Sequence, residues 1–128
     1  MEGNVVVDAS AVLAEIYGEP GADVVREALP RASLSAVNLA EVVTGLINEG
    51  VPEQEADYFA RHLSCVVEPA DRDRAISTGL LSAATRRSGI SLGDRFCLTL
   101  ARELRQPVLT SDRRWASLDL DIEVRLIR

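Results

Sequence analysis

The chain has 128 residues, of which 47% are hydrophobic and 27% charged, and it carries a formal net charge of -6 at pH 7. This length and composition predict one globular domain over residues 1–128 with a buried core, and they exclude a disordered chain. The acidic balance excludes a protein that coats nucleic acid through bulk positive charge, but it is compatible with a cluster of metal-binding acids.

Several residue types that functional sites often use are scarce. Cys65 and Cys97 are too few and too far apart for a disulfide framework or a zinc motif, so both are interpreted as buried hydrophobic residues. His62 is the only histidine, so the usual catalytic triads and histidine-rich metal sites lack their parts. All 14 basic residues are arginine, which excludes mechanisms that require a lysine.

No stretch of the sequence is typical of a targeting or membrane segment. Residues 1–4 are acidic and lead directly into a predicted strand, so we expect no signal peptide. No apolar run approaches the roughly 20 residues needed to cross a bilayer, so we expect no membrane contact. The expected location is the cytoplasm.

The first predicted element is a strand at Val5-Val6-Val7, whose three β-branched residues suit a strand buried on both faces. The strand ends at Asp8, and Ser10 is placed to cap a helix over residues 11–16. This order puts Asp8 at the carboxyl end of the strand, where open α/β sheets keep their ligand sites. A lone aspartate there is more often a turn or cap residue, so its meaning depends on whether other acids reach the same edge.

The rest of the chain alternates helices with strands. Helices are predicted over residues 22–29, 36–49, 52–64, 71–87 and 92–104, and strands over residues 32–35, 65–68, 107–110 and 122–127. The last strand is expected at the edge of the sheet. Among the inward-facing residues we expect Phe59 and Leu63 in one helix and Ile76 and Leu80 in the next. The alternation predicts an α/β sandwich on a mostly parallel sheet.

Four carboxylates, Asp8, Glu41, Asp94 and Asp112, fall where they can meet at one edge of this sheet. Each also has a purely structural explanation: Asp94 completes a capping pair with Ser91, Asp112 caps a helix, and Glu41 faces solvent. Together, however, buried like charges cost several kcal/mol unless they are protonated or neutralised. Ligation by oxygen alone favours Mg²⁺ or Mn²⁺, and such ions activate water for phosphodiester hydrolysis. The spacing leaves open the choice between these interpretations.

Four motifs carry a resemblance to a known family. They are Val6-Val7-Asp8-Ala9-Ser10, Asn38-Leu39-Ala40-Glu41-Val42, Ser91-Leu92-Gly93-Asp94 and Thr110-Ser111-Asp112-Arg113-Arg114-Trp115. In this order and spacing the chain resembles the PIN-domain ribonucleases, in particular the VapC toxins of bacterial toxin–antitoxin pairs. The resemblance implies a three-layer α/β/α domain with a five-stranded, mostly parallel sheet. It also implies a metal-dependent endoribonuclease that cleaves RNA by metal-activated water and acts as a toxin.

The resemblance assigns roles residue by residue. Asp8 and Asp94 would be the firmest ligands of Mg²⁺ or Mn²⁺, with Glu41 and Asp112 completing a catalytic pocket. Asp119 and Asp121 are alternatives to Asp112 as the last acid of the pocket.

Three polar side chains would support this pocket. The hydroxyls of Ser10 and Thr110 would orient metal-bound water. Asn38 would either do the same or be an amide on the helix surface, and we prefer the surface interpretation.

The resemblance further implies a homodimer and a cognate antitoxin whose tail reaches the pocket. Tyr58 and Phe59 are candidates for a dimer face, although core packing is the preferred interpretation for Phe59. The arginines expected at RNA phosphates are Arg95, Arg113 and Arg114, which adjoin the acids, followed by Arg86 and Arg87, which serve equally well as C-terminal charges on their helix.

Other families with a parallel sheet fit the sequence less well. A phosphoacceptor receiver domain uses a lysine, a dinucleotide-binding domain needs G-x-G-x-x-G, and a P-loop enzyme needs G-x-x-x-x-G-K-[ST]; all three features are absent. The remaining alternative is a non-catalytic, metal-stabilised module that acts only by binding a partner protein. The presence of all four acids argues against it.

Overall fold

The computed structural model describes residues 3–128. The expectation of no signal peptide depends partly on Met1 and Glu2 and so lies outside the described residues. Within the described part, five strands form a single sheet with all neighbours parallel and the order β3-β2-β1-β4-β5. The strands are β1 (Val5–Val7), β2 (Ala32–Ser35), β3 (Val66–Glu68), β4 (Val108–Thr110) and β5 (Val124–Leu126).

Helices cover both faces of this sheet. They are α1 (Ala9–Tyr17), α2 (Ala22–Ala28), α3 (Ala36–Asn48), α4 (Glu53–Arg61), α5 (Arg72–Leu80), α6 (Ser82–Thr85) and α7 (Leu92–Leu104), with short 3-10 helices at Leu29–Arg31 and Arg113–Ser117. The predicted three-layer α/β/α class, the parallel sheet and the edge position of β5 are confirmed. Among residues 3–128, no helix is both long enough and apolar enough to cross a bilayer.

The central strand β1 separates two hydrophobic cores. Val5 and Val7 pack with residues of α1, α2 and α3, whereas Val6 faces the opposite layer with Leu98 of α7 and Trp115. All three valines of β1 are at most 1% exposed. The strand is therefore buried on both faces, as its β-branched sequence predicts.

The predicted helix over residues 71–87 is divided in the structure, and its inward face was predicted wrongly. Ile76 is 55% exposed and Leu80 is 75% exposed, while Thr78, Leu81 and Thr85 are buried. The Thr78 hydroxyl bonds to Thr99 of α7, and the Thr85 hydroxyl bonds to the Leu81 carbonyl. The buried side of this segment is thus satisfied by threonine hydroxyls, which a search for apolar periodicity overlooks.

Three smaller predictions also need correction. Phe59 is 42% exposed and does not pack inward, whereas Leu63 lies against the core. Cys97 is buried as predicted, but Cys65 is only partly buried. Asp8, and not Ser10, caps α1, because its carboxylate accepts the Ala11 amide and the helix already begins at Ala9.

Candidate active site

Asp8 lies at the carboxyl end of β1 and is held by hydrogen bonds from α1 and β4. Its Oδ1 accepts the Ala11 amide at 2.9 Å and the Ser10 hydroxyl at 2.8 Å. Its Oδ2 accepts the Thr110 hydroxyl at 2.7 Å. Thr110 is within reach because β1 and β4 are adjacent and parallel, with Val7 opposite Leu109. The predicted neighbourhood of these two strand ends is confirmed.

The Asp8 carboxylate is only 5% exposed, and no ion pair reaches it within residues 3–128. Burial raises its pKa from 3.8 to about 6, although hydrogen bonds from Thr110, Ala11 and Ser10 lower it in part. The negative charge of Asp94 raises this pKa further. The edge of the sheet therefore holds a buried anion whose charge the described residues stabilise only by hydrogen bonds.

Glu41 is fixed by Asn38, one turn earlier on α3. The Asn38 amide nitrogen donates to Glu41 Oε1 at 2.8 Å and to the Gly93 carbonyl at 3.0 Å. Asn38 is 1% exposed, so its interpretation as a surface amide is wrong. The amide is buried because α3 packs against the start of α7. There the Gly93 carbonyl accepts the N–H of Asn38.

Gly93 is a residue of this site that sequence reasoning missed. A Cβ atom at this position would overlap the Glu41 carboxylate, so any other residue would force that carboxylate out of its observed position. Its signal was present in the Ser91-Leu92-Gly93-Asp94 motif, where a glycine occupies the first turn of a helix. Glycine is unfavourable for helix formation. Its presence in a first turn therefore indicates that a ligand or side chain approaches the backbone closely.

Asp94 forms the predicted capping pair at the start of α7. Its backbone amide donates to the Ser91 hydroxyl and its Oδ2 accepts the Ser91 amide, both at 3.1 Å. The carboxylate is nevertheless part of the acidic edge, because its charge raises the pKa of Asp8. The capping explanation and the site explanation are thus compatible for this residue.

Cys97 is a buried thiol that senses the charges of three of the acids. Its thiol is fully buried, one turn after Gly93 on α7. Burial raises the pKa of this thiol, and so do the charges of Asp8, Asp94 and Glu41, in that order. The geometry agrees for two of these acids, because Glu41 on α3 lies against Gly93, the residue before Asp94 on α7.

Asp112 lies at this edge, but its negative charge is paired with Arg114 of the 3-10 helix that it caps. Its carboxylate caps the 3-10 helix at Arg113–Ser117 and forms an ion pair of 2.6 Å with Arg114. The Arg114 guanidinium holds the pKa of Asp112 below its usual value. The backbone amide of Asp112 donates to the Thr110 hydroxyl at 3.0 Å, which connects it to Asp8.

The remaining predicted residues fall in different environments. Arg95 donates to the Thr78 carbonyl at 3.1 Å and so connects α7 to α5. Arg86, Arg87 and Arg113 are exposed. The alternative acid Asp121 lines a cavity of about 640 Å³ together with Gln106 and Pro107, at the amino end of β4 and away from Asp8. Asp119 is exposed in the connection before β5.

The acids share one edge without forming a ready-made ligand set. Within residues 3–128, no group of three carboxylate, imidazole or thiol side chains has the geometry of a metal site. Asp94 is engaged by its capping box and Asp112 by Arg114. The arrangement is an acidic centre built on the buried Asp8, with Glu41 and Asp94, which are partly exposed, on its side of the sheet edge.

These features define a parallel α/β/α domain with a buried acidic centre at the carboxyl edge of its sheet. The sequence profile of the PIN domain matches residues 5–120. The chain therefore belongs to the PIN-domain family.

Relatives in this family are similar over most of their length. A VapC ribonuclease of Mycobacterium bovis and ribonuclease VapC42 of Mycobacterium tuberculosis are each 32% identical over 114 residues, covering 81% of this chain and 87% of the relative.

Solved structures share the fold. A toxin–antitoxin complex from Klebsiella pneumoniae has a TM-score of 0.74 at 18% identity, with 98% of each chain covered. The DNA-bound VapBC of Salmonella typhimurium has a TM-score of 0.75 at 18% identity, with 99% of this chain and 100% of that one covered. VapC20 of M. tuberculosis, a sarcin-ricin loop cleaving toxin, has a TM-score of 0.71 at 14% identity, with 94% and 99% covered.

Proposed function

We propose that this protein is an endoribonuclease and the toxin of a toxin–antitoxin pair. The observation that carries the proposal is the Asp8 carboxylate, which is buried at the carboxyl edge of the sheet and held by the Ser10 and Thr110 hydroxyls. A charge buried in this way without an ion pair is costly to the fold, so its presence at this edge points to a functional role. The ribonucleases among the 32% identical relatives support the same activity.

The residues present fit a hard divalent cation. Asp8, Glu41 and Asp94 would hold Mg²⁺ or Mn²⁺, because their oxygen donors and clustered negative charge match such ions. The raised pKa of Asp8, due first to burial, supports this assignment, since the site favours neutralisation of that carboxylate. When bound, the cation would polarise a phosphodiester and promote the ionisation of water.

The chain's own residues set the orientation of these ligands. The Ser10 and Thr110 hydroxyls donate to Asp8 and fix the plane of its carboxylate. The Asn38 amide does the same for Glu41. In this proposal Ser10 and Thr110 act on the carboxylate directly, and any orientation of water is secondary to it.

RNA phosphates would bind to exposed arginines near the acids. Arg113 adjoins Asp112, and Arg86 and Arg87 precede Gly89, whose carbonyl accepts Arg114 at 3.1 Å. Arg95 is a weaker candidate because it connects two helices.

The partners follow from the same family. We propose that a cognate antitoxin silences the enzyme, supported by the toxin–antitoxin complexes among the neighbours in fold. We also propose a cytoplasmic homodimer. Tyr58 and Phe59, which are 62% and 42% exposed on α4, remain candidates for its interface.

The test is RNA cleavage by purified protein with Mg²⁺, with Mn²⁺ and with EDTA. We expect cleavage with either cation, none with EDTA, and none for Asp8→Asn. The matched control is Asp57→Asn on α4, whose exposed carboxylate pairs with Arg61. Equal cleavage by wild type and Asp8→Asn contradicts the proposal.

The alternative is a non-catalytic module that binds its partner through a metal-stabilised fold. The engagement of Asp94 by its capping box and of Asp112 by Arg114 favours it over catalysis, because both carboxylates already serve the fold. It predicts that Mg²⁺ raises the melting temperature and that induced protein leaves cellular RNA intact. Sequencing of RNA ends after induction of wild type and Asp8→Asn separates the two functions.

A further inference from the structure

The Arg114 side chain is held at both ends beside the acidic edge. Its Nε and Nη2 donate to both oxygens of Asp112, at 2.6 to 3.2 Å, and its Nη1 donates to the Gly89 carbonyl at 3.1 Å. This cation is therefore placed at the site, although its side chain is 56% exposed.

The Gly89 turn leaves room for the guanidinium. Gly89 has φ of +69°, and a Cβ there would lie 3.0 Å from Arg114 Nη1. A side chain at this position would be strained by the backbone and would crowd the arginine. The turn thus presents its carbonyl to Arg114 without a side chain that would crowd the guanidinium.

The cap that Asp112 provides does not need the guanidinium. Its Oδ1 accepts the backbone amide of Arg114 at 3.0 Å, and any residue other than proline at position 114 can make that bond. The guanidinium instead occupies the remaining lone pairs of the carboxylate. While it stays there, Asp112 has little capacity left to ligate a cation.

We propose that Arg114 is a positioning residue that RNA displaces: an RNA phosphate takes the guanidinium from Asp112 and so frees this carboxylate for the divalent cation. The inference rests on the proposed nuclease function. A phosphodiester offers two unesterified oxygens, and a guanidinium binds these as a fork in the way it binds a carboxylate. The exchange conserves the guanidinium's hydrogen bonds and leaves one more negative charge for the cation. RNA binding and the release of Asp112 to the acidic site therefore occur together.

The first measurement is Mn²⁺ binding without RNA, by calorimetry, for wild type, Arg114→Gln, Asp112→Asn and the double variant. We expect Arg114→Gln to bind Mn²⁺ about fivefold more tightly, because an exposed ion pair is worth about that factor in binding. Asp112→Asn keeps the cap acceptor and removes the charge, so the double variant should bind like Asp112→Asn alone. Unchanged Mn²⁺ affinity in Arg114→Gln overturns the proposal.

The second measurement is binding of a short labelled RNA of random sequence in EDTA. Arg114→Gln should bind this RNA more weakly than wild type, while Arg114→Lys, which keeps a charge without the fork, should lie between them. Arg61→Gln is the control, because it breaks a similar exposed ion pair on α4. An equal loss of RNA affinity in Arg61→Gln assigns the effect to bulk charge and overturns the proposal.

The two proposals fail in different ways. Absence of RNA cleavage by wild type with Mg²⁺ and Mn²⁺ removes the nuclease function itself. Cleavage by wild type together with unchanged Mn²⁺ and RNA affinities in Arg114→Gln removes only the role of Arg114. Thermal unfolding of each variant establishes that it is folded before binding is compared.

Discussion

The Thr110 hydroxyl donates a 2.7 Å hydrogen bond to Asp8 Oδ2, although the two residues are 102 positions apart in the chain. The same hydroxyl accepts the Asp112 amide at 3.0 Å. One buried side chain thus connects the end of β1 to the end of β4 and orients two acids of the site.

Thr110→Val should weaken both the fold and the site. It leaves the Asp112 amide without its acceptor and removes a bond that lowers the pKa of Asp8. We expect a loss of about 1–3 kcal/mol in the free energy of unfolding, measured with urea at pH 7 without divalent cations. Thr110→Ser keeps the hydroxyl and is the control; an equal loss in that variant would assign the effect to packing.

The stability of the cation-free protein should fall as pH rises through the range in which Asp8 ionises. Because burial raises its pKa from 3.8 to about 6, the folded state binds more protons than the unfolded state between these values. The stabilisation from this group is complete below about pH 4 and is lost above about pH 6, with a ceiling of about 3 kcal/mol.

Asp8→Asn should remove that pH dependence. The variant should gain stability relative to wild type between pH 4 and pH 7, because the asparagine has no charge to bury. Urea unfolding of both proteins across this range measures the difference. Stability curves that stay parallel would show that the Asp8 pKa is not raised in the folded protein.

Gly93→Ala should destabilise the protein and abolish cleavage. Its Cβ would lie 2.1 Å from Glu41 Oε2, so the carboxylate or α7 must move, at a cost of about 1–3 kcal/mol. Gly79→Ala on α5 is the matched control, since no heavy atom lies within 4 Å of its added Cβ. That control should gain up to about 1 kcal/mol from helix propensity.

The cause of the Gly93→Ala effect can be tested by removing the carboxylate. The double variant Gly93→Ala with Glu41→Ala should recover stability but not cleavage. Urea unfolding supplies the comparison. If stability is not recovered, the clash lies elsewhere than at Glu41.

Asn38→Asp should destabilise the protein strongly at pH 7. It replaces the donor to Glu41 and to the Gly93 carbonyl by an acceptor, and it buries a like charge beside Glu41. We expect a loss of about 3 kcal/mol or more, smaller at acidic pH, where the carboxylates are protonated. Asn48→Asp at the exposed end of α3 is the control and should change stability by less than about 1 kcal/mol.

The sequence by itself determined the elements and the edge at which function lies. A run of β-branched residues ending at Asp8, and strands alternating with helices, fixed a parallel sheet, and parallel strands end together. The acids that follow β1 and β4 can therefore be neighbours, and the strand order of the folded sheet makes them so. Residue spacing and chain direction are enough to predict that the strands end at the same edge of the sheet.

Only the tertiary structure decided what each side chain does there. The burial of Asn38, the contact that requires Gly93, and the capture of Asp112 by Arg114 all depend on how α3, α7 and the Gly89 turn pack around the sheet. The threonine-lined side of α5 depends on its fit to α7 in the same way. Hydrophobic periodicity cannot reveal these contacts, because polar groups are buried only where a distant part of the chain supplies their hydrogen-bond partner.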